Sequence, residues 1–189
     1  MRIVAILLAA GSSRRFGDEK LLAAYKGRAL FEHSLDALAD SPFIDEIVVV
    51  IRPRFPVPSG PQRCRFVVNP DHEEGMGSSL RAGVRATPEG VAAYVIALAD
   101  MPDIKPELIA SLIACYRSAG KTIVVPVYRG RRGHPVVIGG ELRDMLLQTT
   151  GDVGARAIIR DHPERVGHFE TDNEAVVFDV DVPEDLAGR

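Results

Sequence analysis

Cysteine is scarce in this chain of 189 residues: Cys64 and Cys115 stand far apart, with no Cys-x-x-Cys or mixed Cys/His pattern. That excludes a disulfide framework and a zinc site, and it fits a reducing cytoplasm. Positive charge is not in excess either, and a formal net charge of −3 argues against a general binder of nucleic acid or another large polyanion. The apolar stretch at residues 3–10 is too short to cross a membrane, and it runs into residues 11–15 without the context of a signal-peptide cleavage site. Neither nucleic acid nor membrane is expected as a partner. Repeats, low-complexity tracts and long charged tails are missing, so residues 1–189 read as a single domain. With 46% hydrophobic and 26% charged residues the chain has the balance of an ordinary soluble protein, long enough to bury a full core.

What the chain does have is concentrated near its start. The stretch Leu8-Ala9-Ala10-Gly11-Ser12-Ser13-Arg14-Arg15-Phe16-Gly17, followed by Asp18-Glu19-Lys20, comes directly after the apolar run at residues 3–8. It reads as the turn leaving a buried strand, where small residues let backbone N–H groups approach a ligand closely. Successive N–H groups form an anion-binding concavity, and Arg14, Arg15 and Lys20 add three cations within seven positions. A polyphosphate suits such a loop. A P-loop is excluded, because Asp18 and not Lys-Ser or Lys-Thr follows Gly17, and so is a dinucleotide fingerprint, which needs three glycines at fixed offsets. A solvated basic turn is the competing reading of the loop by itself, and the rest of the chain weighs against it.

Helix and strand signals then alternate. Phe31, Leu35 and Leu38 predict an amphipathic helix over residues 29–39, and the β-branched run at residues 47–51 predicts a parallel strand covered on both faces. Residues 66–68 read as strand, and Ser78 or Ser79 can cap a helix with Leu80 and Val84 inside. A buried strand at residues 94–98 delivers Asp100, and Pro106 opens a helix striped by Leu108, Ile109, Leu112, Ile113 and Tyr116. Residues 123–127 and 134–138 read as extended, 141–147 as helix, and 151–156 as a helix start capped by Asp152. A last strand at residues 176–180 leads through Asp181 into a short helix with Pro183 at its start. The expected fold class is α/β, a largely parallel three-layer sandwich with its ligand at the carboxyl ends of the strands.

The first loop, Asp100 and Asp181 all follow expected strand ends. Magnesium is commonly held by one or two carboxylates together with substrate phosphates, so Asp100 and Asp181 form a candidate metal pair beside a triphosphate cradle. Nucleotidyl transfer fits: Lys20 on the transferring phosphate, Arg14 or Arg15 on the departing pyrophosphate. Each aspartate also has a local reading, Asp100 as a turn residue before Pro102 and Asp181 as a favourable charge at a helix start.

These stretches resemble the MobA-like nucleotidyltransferases. The first loop with Lys20-Leu21-Leu22, and Leu98-Ala99-Asp100-Met101-Pro102, carry that resemblance; Glu74-Gly75-Met76-Gly77-Ser78-Ser79-Leu80-Arg81-Ala82-Gly83, Arg132-Gly133-His134-Pro135-Val136 and Gly151-Asp152-Val153-Gly154-Ala155-Arg156 point to the molybdenum cofactor cytidylyltransferases within it. Asp179-Val180-Asp181-Val182-Pro183 resembles the family's second metal motif. The resemblance implies a Rossmann-like nucleotidyltransferase fold of the nucleotide-diphospho-sugar transferase type. It also implies transfer of CMP from CTP to molybdopterin, with magnesium or manganese. By it, Ala9, Ala10, Gly11, Ser12, Ser13, Arg14, Arg15, Lys20, Gly77, Ser78 and Ser79 bind nucleotide, Asp100 and Asp181 hold the metal, and Lys20, Arg15 and Asp100 are catalytic. Gly133 and His134 are candidates for the acceptor, and a molybdenum-dependent oxidoreductase is a candidate recipient of the product. Guanylyl transfer, a redox relative on a pigment-like substrate and a cofactor chaperone are the alternatives. Lys105 and Val182 stand where the family often has a helix-capping threonine.

Overall fold

The computed structural model describes residues 1–11, 20–57 and 60–187. Strand β1 (Ile3–Ala9) is an interior strand of the sheet, flanked in parallel by β4 (Glu46–Ile51) on one side and β6 (Ala93–Leu98) on the other. Between β1 and β4 lie the two-residue strands β2 (Ala24–Tyr25) and β3 (Arg28–Ala29), which pair with each other, and helix α1 (Leu30–Ala39). Strand β5 (Cys64–Val68) adds to β4, and helix α2 (Met76–Arg85) returns the chain to β6. Helix α3 (Pro106–Ser118) leads to β7 (Ile123–Tyr128), β8 (Arg131–Arg132) and β9 (Val136–Gly139); α4 (Arg143–Leu147), α5 (Ala155–Asp161) and β10 (Val166–Glu170) follow.

The strand order is β5-β4-β1-β6-β9-β7-β10, with β8 attached to β7. Strand β9 is antiparallel to both its neighbours and the main strands otherwise pair in parallel, so the sheet is mostly parallel, as expected. The alternation of side chains along β1 builds the layers. Ile3, Ala5 and Leu7 face a core with Phe31 and Leu35 of α1 and Leu112 of α3. Val4 and Ile6 face a second core with Leu80 of α2, Leu146 of α4 and Ile158 of α5. Helix α2 lies close on the sheet because residue 83 is glycine: a Cβ there would meet Ile6 Cγ2 at 2.5 Å. The result is a three-layer α/β/α sandwich, the expected fold class.

Three local expectations are corrected. Residues 176–180 form no strand; Glu174–Val177 is a 3-10 turn, and the sheet edge is taken by β10, whose glycine and histidine hid it. The segment is instead pinned by single bonds, His134 N donating to Val176 O and Val180 N to Asp100 O. Asp152 caps no helix: it sits in the 3-10 turn Gly151–Val153, and α5 starts after Gly154 with no side-chain cap. Neither serine caps α2, because both already lie inside its first turn and Gly75 holds the cap position.

Candidate active site

The carboxyl ends of β1 and β6 lie side by side, Leu8 opposite Leu98, and Ala99 N extends the pairing by donating to Leu8 O. That register places Ala10 and Gly11 beside Asp100 around one cleft of about 540 Å3, which Met76, Ser79 and Asp152 also line. Its size falls within the usual range for small-molecule sites. Ser12, Ser13, Arg14 and Arg15, expected to cradle phosphate, lie outside the described residues.

Lys20 opens the 3-10 turn Lys20–Leu22 with its side chain only 7% exposed. Its Nζ donates to Asp100 Oδ2 at 2.9 Å and to Asp181 Oδ1 at 3.4 Å. A buried ammonium needs such partners, since removing a charge from water is costly unless it is paired. Residues eighty and more positions apart in sequence thus meet at one point.

Asp179 joins them. One oxygen from each of Asp100, Asp179 and Asp181 lies within 4.8 Å of the others. Val180, fully buried with Tyr25 and Leu30, anchors the segment between its two flanking aspartates. Partial desolvation, followed by the charges of Asp181 and Asp100, raises the Asp179 carboxyl above its ordinary range, with Lys20 opposing. Among the described residues three carboxylates face one ammonium here, and all three offer hard oxygen donors. This set fits magnesium or manganese and not a thiolate- or imidazole-seeking metal.

The remaining expected residues divide. Ala9, the last residue of β1, belongs to the core and not to the cleft. Gly77 packs on the backbone of Thr150, where a Cβ would approach within 2.8 Å. Ser78 is turned inward: its Oγ accepts from Asn69 Nδ2 at 2.9 Å and is placed to donate to Asp71 O or Gly75 O. Ser79 also accepts from Asn69 Nδ2, at 3.0 Å, yet lines the cleft. Of the three, Ser79 is therefore the one presented to a ligand. Gly133 and His134 pack against Val176, with His134 N donating to Val176 O at 2.8 Å. Burial, then the charge of Arg156, pushes the His134 imidazole down to about 4, so it is neutral at pH 7.

Asp179 lies within the second metal motif but was given no role, and Asn69 and the cleft-facing role of Asp152 were missed by motif reasoning. The Asp-x-Asp spacing around Val180 signalled the first; nothing local signals Asn69. Asn69 is 2% exposed and bonds both serines of α2, so Asn69→Ala should lower stability by about 1–3 kcal/mol by stranding these groups. Thermal melting of the variant beside wild type measures this.

Comparison with known proteins agrees with the geometry. The chain is 31% identical over 194 residues to the nicotine blue oxidoreductase of Paenarthrobacter nicotinovorans, covering 97% of this chain and 94% of that one. It is 30% identical to a probable molybdenum cofactor guanylyltransferase of Natranaerobius thermophilus, over 68% of this chain and 62% of the other. The crystal structure of a homologue of Mycobacterium tuberculosis Rv0371c, from Mycobacterium sp. strain JC1, superposes with a TM-score of 0.81 at 27% identity, covering 99% and 97% of the two chains. Residues 5–166, which span β1 and its cleft loop, Lys20, Asp100 and the start of β10, match the MobA-like NTP transferase domain, and the chain belongs to that family of nucleotidyltransferases.

Proposed function

We propose that the protein transfers CMP from CTP to a molybdopterin-type acceptor bearing a phosphate, releasing pyrophosphate. The observation that carries the reading is the meeting of Lys20 with Asp100 and Asp181 at the cleft that Ala10, Gly11 and Ser79 line. Asp100, Asp179 and Asp181 would hold a divalent cation, magnesium or manganese, which when bound neutralises phosphate charge. Lys20, already desolvated and pre-placed, offers its ammonium to a phosphate oxygen without reorganising, the condition under which electrostatic stabilisation is strongest. Arg14 and Arg15 supply the charge for the departing pyrophosphate. The methyl of Ala10 limits the floor of the cleft, and Ser79 offers a hydroxyl to the base, which supports a pyrimidine. Free thiols at Cys64 and Cys115, and no helix among the described residues long and apolar enough to cross a membrane, suit a cytoplasmic setting.

Calorimetric titration with CTP and with GTP, each with magnesium, tests the reading. Tighter binding of CTP, weakened in Asp100→Ala, is the expected result and leads to a pyrophosphate-release assay with molybdopterin. Preference for GTP would replace cytidylyl by guanylyl transfer, the activity named for the Natranaerobius relative. The full-length likeness to a protein named an oxidoreductase favours a second reading, hydride transfer. That reading requires binding of a nicotinamide cofactor and no pyrophosphate release.

A further inference from the structure

A second cavity, of about 320 Å3, opens beside the carboxylate cluster and is walled by Val125, Val136, Val153 and Ile159, with Arg132 and Arg156 among its lining residues. We propose that this cavity is the acceptor pocket, and that Arg132 and Arg156 clamp a phosphomonoester carried on a small planar body. The proposal rests on the transferase reading above.

The two arginines come from different elements. Strand β8 sets Arg132 opposite Val127 of β7, and the first turn of α5 presents Arg156. Arg160, one turn further along α5, lines the same cavity, but its guanidinium is held by both oxygens of Asp161, at 2.6 and 3.1 Å. Arg132 and Arg156 have no carboxylate partner among the described residues. Two uncompensated guanidinium forks over an apolar floor suit an anion with a flat apolar face: the forks match phosphate oxygens, and the valine and isoleucine walls match a ring.

Position ties this cavity to the cleft. Asp152 lines the nucleotide cleft and its neighbour Val153 lines the second cavity, so the two are separated by one turn of chain. His134 lines the second cavity and is close enough to Asp100 and Arg156 to feel the charge of both. Through His134 the cavity neighbours Asp100, so a phosphomonoester held here would lie within reach of a nucleotide in the cleft. In the transfer, an acceptor phosphate oxygen forms the bond to the α-phosphorus, the bond to the α–β bridging oxygen breaks, and pyrophosphate leaves with that electron pair. A dianionic phosphomonoester brings no proton to be removed, so no general base is needed.

Phenyl phosphate is the probe, followed by amide NMR on the full chain with and without CTP and magnesium. Shifts at Gly133, Val153 and Ile159 are expected, with none from phenol. Arg132→Ala and Arg156→Ala should each weaken binding by about tenfold, and Arg160→Ala should leave it unchanged. CTP titration of the same variants should match wild type, showing that they are folded. Shifts confined to Gly11 and Ser79, or affinity unchanged in both Arg132→Ala and Arg156→Ala, overturn the pocket. Wild type that binds CTP but not phenyl phosphate overturns the pocket and leaves the transferase reading standing. Phenyl phosphate bound at Gly133 and Val153 by a protein that binds no nucleotide overturns the acceptor role together with that reading.

Discussion

Asp100→Asn should cut CTP-dependent pyrophosphate release by about a hundredfold to a thousandfold, the scale on which a pre-placed charge group contributes to a polar transition state. The substitution keeps the shape of the side chain and removes its charge. It acts twice. The carboxylate set drops from three anions to two, and Lys20, 7% exposed, keeps Asp181, at 3.4 Å, as its one remaining ion-pair partner among the described residues. Asp181 is 61% exposed, so water screens that remaining pair. Asp100 itself is 26% exposed, which moderates the stability cost to about 1–3 kcal/mol, below that of breaking a fully buried pair. A melting curve separates the two effects from each other. A folded variant with wild-type turnover would remove Asp100 from the reaction; turnover partly restored by raised magnesium would assign the loss to metal affinity.

The strands and helices around this aspartate were largely readable because each is buried in the simplest way. Residues 3–9, 47–51 and 93–98 lie in interior strands of the sheet, covered on both faces, so their apolar runs are unbroken. The stripe in α3 is equally direct, since one face packs on the core that Leu108, Ile109, Leu112 and Ile113 enter. The edges were not readable. Strand β10 pairs on one side only, through Val166 to Glu170, and its partly exposed Val-Gly-His-Phe-Glu carries no continuous apolar signal. Val176 and Val180 mimic a strand because they are buried, yet they plug two different places, one against the turn at Gly133 and the other between Tyr25 and Leu30. Burial without ladder partners leaves the same letters in the sequence as a strand does.

Charge chemistry at the site was legible where motifs carried it and not where packing assigned it. Asp100 and Asp181 were expected as a metal pair in one cleft with Lys20; that Lys20 is buried against both aspartates follows from β1 and β6 being neighbours, which no local pattern encodes. Ser78 and Ser79 are adjacent and chemically identical. The choice between them is made by the turn at Asp71 and Gly75, which takes up the hydroxyl of Ser78. Arg132 and Arg156 stand in motifs that gave them no role, and it is the lack of a carboxylate partner among the described residues, against the paired Arg160, that distinguishes them.

Gly133→Ala should be the most damaging single methyl at the site, although residue 133 touches neither nucleotide nor metal ligand. A Cβ there would lie 1.9 Å from Val176 O, 2.6 Å from its carbonyl carbon and 2.9 Å from its Cβ. Two of these atoms are backbone, so no rotamer change relieves the contact. Val176 is fully buried, and its carbonyl also accepts from His134 N, so the 3-10 turn Glu174–Val177 must move as a body. Overpacking of this kind costs about 3 kcal/mol, which lowers the melting temperature by about 6–12 °C in a chain of this size. Displacement also travels along the chain, because only three residues separate Val176 from Val180, whose N–H holds the segment to Asp100 O at 3.0 Å. Asp179 and Asp181 flank that bond, so the variant should need more magnesium to bind CTP as well as melting earlier. Gly11→Ala is the stability control, since its added methyl meets nothing within 4 Å. Equal melting temperatures for Gly133→Ala and wild type would show that the 174–181 segment yields without cost, and an unchanged magnesium requirement would show that the carboxylates are positioned independently of it.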